Sequence, residues 1–231
     1  MLKFNVKALL LDFGGTLAYS HQSTWNKYEK NLLSTLKNHG HPTTLDQLRT
    51  ALDKLYRGNT QGKFKDYTQY WTTFIKQQNM PPQTNLAKDL EAVRKQAISR
   101  PYILYNRVTP TLSELHEKYR LALVSNCSMG TREEINNLDL SKFFEHMSLS
   151  NEVGVRKPDK RIYFDTLKAL TLEGNECIFV ADEISDLEGA RPLKMKTLLV
   201  RQGSNTYSEA KDPNFKPELE CKRISEITRF L

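Results

Sequence analysis

The amino-acid sequence predicts an α/β fold, a doubly wound parallel sheet with an all-helical module inserted after its first strand. Three observations predict it. Short apolar runs recur at 6–11, 121–124, 147–150, 177–180 and 197–200. Helical patterns at 110–118, 130–138, 159–170 and 184–194 lie between the later runs. Strands alternating with helices in this way build a parallel sheet covered on both faces. The third observation is a gap, because residues 18–100 hold no convincing strand and read as four helices.

The first run, VKALLL at 6–11, is continuously apolar and stops at Asp12. A secretory leader would need a longer apolar stretch and a small-residue cleavage site, so the run reads as a buried strand. The inserted helices are predicted at 23–39, 44–57, 65–78 and 84–98. Thr43-Thr44 offers a cap for the second, and Pro81-Pro82 separates the third from the fourth. Tyr67, Tyr70, Trp71 and Phe74 fall on one helical face, which reads as a packed stripe rather than a ligand wall. The later runs LALV, MSLS, CIFV and TLLV are short and mostly end in polar turns. The predicted division is core over 1–17, helical cap over 18–100, and the remaining core over 101–231. Ligands of open parallel sheets bind at the carboxyl ends of the strands. A module inserted there is expected to cover the site as a lid.

Composition narrows the function classes. The chain has 231 residues, 26% charged and 39% hydrophobic, an ordinary globular balance that supports a real core. The formal charge is +7, with Lys and Arg spread along the chain and only a mild cluster at Lys222-Arg223. That is a generally basic surface suited to anionic ligands. No nucleic-acid motif accompanies it, so a nucleic-acid partner is not expected. No apolar run approaches the length of a membrane span. Cys127, Cys177 and Cys221 are odd in number and lack metal spacing, which predicts reduced thiols in a cytoplasm.

The chemistry sits just after the strands. Asp12 ends the first, Ser125 and Asn126 follow the second, and Asp182, Glu183 and Asp186 follow CIFV. Lys157 lies in the intervening segment VGVRKPD. If these residues share one rim, carboxylates, a hydroxyl and an amine converge, the set that phosphoryl transfer needs. A carboxylate can attack phosphorus. A hard cation on carboxylate and carbonyl oxygens, together with a lysine, offsets the repulsion between anions. A hydroxyl and backbone N–H groups hold the equatorial oxygens. Gly14 and Gly15 let the backbone approach the phosphoryl group closely.

In order along the chain, DFGGTL, VSN, RKPD and ADEISDLEGA resemble the four motifs of the haloacid dehalogenase-like hydrolase superfamily. The stretch SLSNEVGVRKPDKRIYFDTLKAL resembles the region around the motif lysine, and the resemblance covers nearly all of the chain outside the helical insertion. It implies a Rossmann-like core with a helical cap after the first motif. It implies a phosphatase acting on a small phosphorylated substrate with Mg2+ as cofactor. Asp12 would be nucleophile and metal ligand, and the carbonyl of Gly14 a second ligand. Ser125, Gly15 and the Asn126 N–H would bind the phosphoryl oxygens. Lys157 would neutralise charge, and Asp182 would bind the metal directly. Asp186 would act through water or orient Lys157, while Glu183 stands where the family often has a second acid.

One position departs from the pattern. Most phosphatases of the superfamily carry an Asp two residues after the nucleophile, which protonates the leaving group and later activates water. Here Gly14 stands in its place. The carbonyl ligand survives, and the proton-transfer group does not. His21 is a candidate substitute, and Tyr19, His21 and Trp25 are candidate lid residues. Leaving groups that need no proton should be favoured, and the phosphorylated enzyme should accumulate. Two alternatives remain: a metal-independent 2-haloacid dehalogenase, against which the acid cluster argues, and a catalytically weakened binding or regulatory member.

Overall fold

The computed structural model describes residues 6–82, 84–97, 102–202 and 210–231. Its elements run β1 (Ala8–Leu11), β2 (Ala18–Tyr19), α1 (Gln22–Asn38), α2 (Leu45–Asn59), α3 (Tyr67–Gln77) and α4 (Thr84–Ala97). They continue with β3 (Ile103–Leu104), α5 (Val108–His116), β4 (Arg120–Ser125), α6 (Thr131–Asn137), β5 (His146–Leu149) and α7 (Ser150–Val153). The last are α8 (Lys160–Leu170), β6 (Cys177–Ala181), α9 (Ile184–Ala190), β7 (Lys196–Val200) and β8 (Leu219–Cys221).

The main sheet has the order β5-β4-β1-β6-β7-β8, with every pair parallel. Alternation along the strands explains why it is covered on both sides. Leu9, Leu11, Leu121, Leu123, Ile178 and Val180 pack on one face with Val108, Leu112 and Leu115 of α5. Ala8, Leu10, Ala122, Val124, Phe179 and Ala181 pack on the other with Ile162, Tyr163 and Leu167 of α8 and Leu187 of α9. Burying each such aliphatic side chain contributes about 1.5–3 kcal/mol, which is why these strands tolerate no polar residue until they end. The chain builds outward from β1 through β4 to β5, then returns to β1's other side with β6. The direction of winding therefore reverses beside β1, the place where ligands of such sheets bind.

The four inserted helices bury a cluster of their own around Leu32, Leu36, Leu48, Leu55, Trp71, Phe74, Leu86 and Leu90. Thr44 caps α2 in a reciprocal box, its hydroxyl accepting from Gln47 N–H while the Gln47 side chain accepts from Thr44 N–H. Tyr70, Trp71 and Phe74 are buried within the cluster, as the stripe predicted. Tyr67 is only partly buried, and its hydroxyl donates to the Met129 carbonyl outside the module.

Several boundaries differ from the sequence reading, each for a local reason. Ser150 begins α7 instead of ending β5. The helix predicted at 184–194 stops at Ala190, because Pro192 supports only a tighter 3-10 turn over Arg191–Leu193. Residue 98 of the predicted fourth helix lies outside the described residues. Three short strands carry no periodicity signal. β8 is a three-residue edge strand, and β2 pairs antiparallel with β3 through Ala18–Leu104 and Tyr19–Ile103. That ribbon ties together the two chain segments that lead into and out of the helices. Tyr105 N–H extends it by donating to the Leu17 carbonyl.

Candidate active site

Register places the chemistry. Leu11 pairs with Leu123 on one side and Val180 on the other. Asp12 lies one residue beyond that level, Ser125 two and Asp182 two, so all three emerge at the same rim at a rise of about 3.3 Å per residue. Asp12 N–H still donates to the Val180 carbonyl, which anchors it at the mouth of the sheet. The chain then turns sharply: Leu17 and Ala18 N–H groups both donate to the Phe13 carbonyl.

Within that turn Gly15 has φ +78°, and a Cβ there would stand 2.0 Å from Asp182 Oδ2. Only glycine allows the Asp182 carboxylate to close against the loop. Thr16, fully buried, donates its hydroxyl to Asp182 Oδ1 at 3.1 Å. At Gly14 nothing lies within 4 Å of where a Cβ would stand. The two adjacent glycines thus differ: one is sterically required and the other is not.

Lys157 is the hub. Its Nζ lies 2.8 Å from Asp12 Oδ1 and 2.9 Å from Asp186 Oδ2, and 5.5 Å from the centre of the Phe179 ring. Burial alone would lower the lysine, but the charges of Asp12 and Asp186 outweigh it and hold the ammonium above its ordinary value. Burial is also the main reason the Asp12 carboxyl is raised, with Lys157 opposing. Asp12 Oδ1 additionally accepts the Phe13 N–H at 2.7 Å. Asp182 is pushed up to about 7, first by burial and then by the charge of Asp12.

The remaining predicted residues fall around this hub. Ser125 is buried at the end of β4. Asn126 makes a contact the sequence did not suggest: its side chain donates to the Lys157 carbonyl and accepts the Lys157 N–H at 2.8 Å. It therefore fixes the lysine loop as well as presenting its own N–H. Asp186 faces Lys157, and Tyr163 donates its hydroxyl to the Asp186 carbonyl, steadying the start of α9. Glu183 precedes that helix. His21 is exposed ahead of α1 and packs edge-on against Tyr19 at 5.5 Å. Trp25 donates its indole N–H to Ser20. Thr16 was visible within DFGGTL yet carried no signal of its role.

The helical module touches the loop that follows β4. Met129 N–H donates to Asn59 Oδ1 at 3.0 Å, beside the bond from Tyr67. A cavity of about 260 Å³ lies at this seam, lined among others by Trp25, Tyr56, Asn59, Tyr67, Arg94 and Ser128. A larger one, about 1020 Å³, runs between α3 and α4 and meets none of the rim residues. Rim chemistry and cavity size thus point to different places, and the rim is where charged groups are gathered.

Among the described residues no three Asp, Glu, His or Cys side chains converge as a ready metal cage. A cation at this rim would therefore draw on Asp12, Asp182 and main-chain oxygen.

The family model for haloacid dehalogenase-like hydrolases matches residues 9–200. The chain is 25% identical over 232 positions to a glyceraldehyde 3-phosphate phosphatase of Methanopyrus kandleri, covering 96% of this chain and 95% of that protein. Among solved structures, a 2-haloacid dehalogenase of Pseudomonas syringae superposes with a TM-score of 0.75 at 17% identity over 97% of both chains. A putative hydrolase of Bacillus subtilis bound to magnesium superposes at 0.62 and 17% over 98% of both. These two likenesses concern the fold alone.

Proposed function

The chain belongs to the haloacid dehalogenase-like hydrolases, and from that premise we propose a magnesium-dependent phosphohydrolase that acts on a small phosphorylated metabolite through an aspartyl-phosphate at Asp12. The observation that carries this reading is the single Lys157 ammonium shared between Asp12 and Asp186 at 2.8 and 2.9 Å. A carboxylate can meet a phosphate anion only where positive charge is already in place. The phosphatase named for the Methanopyrus kandleri relative makes a triose phosphate the first substrate to try.

The residues fit magnesium. Asp12 and Asp182 are crowded acids whose charged form burial disfavours, and a divalent ion beside them would favour that form. The Gly14 carbonyl would add a hard oxygen of the kind magnesium takes. When bound, the ion supplies charge neutralisation at the phosphoryl oxygens. Everything else falls to the chain. Phe13 N–H and Lys157 hold Asp12 Oδ1, which leaves Oδ2 to face phosphorus. The Ser125 hydroxyl, with the N–H of Asn126, receives the phosphoryl oxygens; the Gly15 N–H expected to join them is instead spent inside the turn, donating to the Ala18 carbonyl at 2.8 Å. Asp186 orients Lys157 rather than touching substrate. The helices over 18–100 serve as the cap, with the β2–β3 ribbon at their base.

The test is a panel of phosphate esters with and without magnesium, glyceraldehyde 3-phosphate and 4-nitrophenyl phosphate included, beside Asp12→Asn. Metal-dependent turnover that vanishes in the variant supports the reading. Metal-independent release of halide from a 2-haloacid would instead establish the dehalogenase. Magnesium binding without turnover of any ester would assign a binding role.

A further inference from the structure

We propose that the groove between α3 and α4 is a second binding site, for a small amphipathic anion: an organic carboxylate or sulfonate with an apolar body. The cavity there, about 1020 Å³, meets none of the rim residues, so the inference does not depend on what the rim does. Pockets for small organic ligands hold about 300–1,000 Å³ and are mostly apolar, with a few placed polar groups. The groove has that size and that character.

One face of each helix builds it. Thr72, Ile75, Lys76 and Asn79 line it from α3, and Lys88, Glu91, Ala92 and Lys95 from α4. Both sets have the spacing i, i+3, i+4, i+7, so each is a single stripe along its helix. Ile75 is buried and Met80 and Ala87 are partly buried against the module's core, which makes the floor apolar. Ala92 leaves the α4 side low, and Pro81-Pro82 line the groove beyond the end of α3.

The charge over that floor is one-sided. Lys76, Lys88 and Lys95 are exposed and make no ion pair with any described residue. Elsewhere in the module Arg49, Arg57 and Arg94 are matched with Glu29, Asp53 and Glu91. Glu91 is the acid of the lining, and it is already committed. Both its oxygens receive Arg94, and one also receives the Trp71 N–H. Three ammonium groups therefore stand over apolar surface, their stems adding to it. An anionic head on an apolar body complements both parts at once.

The packing also limits the size of the occupant. The 3.0 Å bond from Trp71 to Glu91 ties α3 directly to α4. Helices in contact have axes about 8–10 Å apart, which leaves no width for a third helix about 10–12 Å across to enter between them. An extended alkyl chain or a flat ring does enter. From Thr68 to Asn79 the lining runs about 16 Å along α3, at 1.5 Å per residue, enough for an acyl chain of medium length.

The experiment uses the full chain with 8-anilinonaphthalene-1-sulfonate, an apolar fluorophore carrying one negative charge. Its fluorescence should rise and saturate at one probe per chain. Decanoate should displace it, and decylammonium, of the same length and opposite charge, should be at least about 10-fold weaker. Reversing two of the exposed charges, in Lys88→Glu with Lys95→Glu, should weaken decanoate about 10-fold. Ala92→Trp should fill the groove and abolish displaceable probe binding, with circular dichroism unchanged. The comparison of decanoate with decylammonium needs no variant, so it stands even if a substitution disturbs the helices. Probe binding that does not saturate, equal displacement by both ligands, or affinities untouched by the folded variants would each overturn the proposal. Retention on anionic vesicles or self-association that Ala92→Trp removes, with no displacement by decanoate, would assign the groove to another occupant and overturn it too. None of these readouts involves turnover, so failure here leaves the phosphohydrolase reading intact.

Discussion

In the parallel-sheet core, charged side chains reach the interior and pair there; in the helical module most of the described pairs lie at its surface, the half-buried Arg94–Glu91 pair beside Trp71 excepted. Asp12, Lys157, Asp182 and Asp186 are all at most 7% exposed, whereas Arg49–Glu29, Arg57–Asp53 and His39–Asp89 lie along the outside of the helices. Surface pairs contribute little to stability. Buried charges are costly unless paired, and perturbed acids gather where chemistry is done. The difference teaches a division of labour: the core holds reactive charge, and the module holds shape.

The largest effect should come from removing the charge that joins the acids. Lys157→Met leaves Asp12 and Asp186 buried without their ammonium. Loss of a buried pair's partner costs about 3–5 kcal/mol, and loss of a transition-state cation about 10²–10³-fold in rate. Urea titration and ester kinetics on the same variant should show both losses. Intact activity would mean that Lys157 is structural, and the contrast between the two regions would break.

A second substitution applies the same question to the module. Trp71 is fully buried, and its indole N–H donates to Glu91, which also receives Arg94. Trp71→Ala should cost about 3–5 kcal/mol, felt first in the helices. Thermal unfolding followed by circular dichroism should then split, with helix lost before the sheet melts. A single sharp transition would show that the two regions fold as one unit.

The contrast also explains what the sequence made legible. DFGGTL, VSN and ADEISD could be placed because a buried strand ends where polarity begins, so their site residues are flagged by the run before them, whereas RKPD follows α7 and no strand run flags Lys157. The aromatic stripe gave the module's packing by the same reasoning, apart from Tyr67. Contacts made across the fold left no such mark. Asn126 clamping the Lys157 loop and Thr16 supporting Asp182 depend on partners 31 and 166 residues away. β2 and β3 were illegible for a related reason, since a two-residue ribbon is defined by its pairing and not by any periodicity.

The smallest expected effect separates the regions by pH. In the metal-free protein Asp182 is raised to about 7, first by burial and then by Asp12, against about 3.9 in an unfolded chain. A raised acid favours the folded state while it is protonated. Its contribution is therefore full below about pH 4 and is lost as pH climbs through 7. Magnesium competes with that proton, so it should stabilise the protein at pH 8 and do little at pH 5.5. At a hundred times its Kd a ligand adds about 2.7 kcal/mol, which for a chain of this size raises Tm by roughly 5–10 °C. Differential scanning fluorimetry at both pH values, with Asp182→Asn as control, reads the shift directly. In Trp71→Ala the early helical transition should move with neither pH nor magnesium, because no rim acid belongs to the module. If it moves with the core, the site and its cover are coupled more tightly than their separate hydrophobic clusters imply.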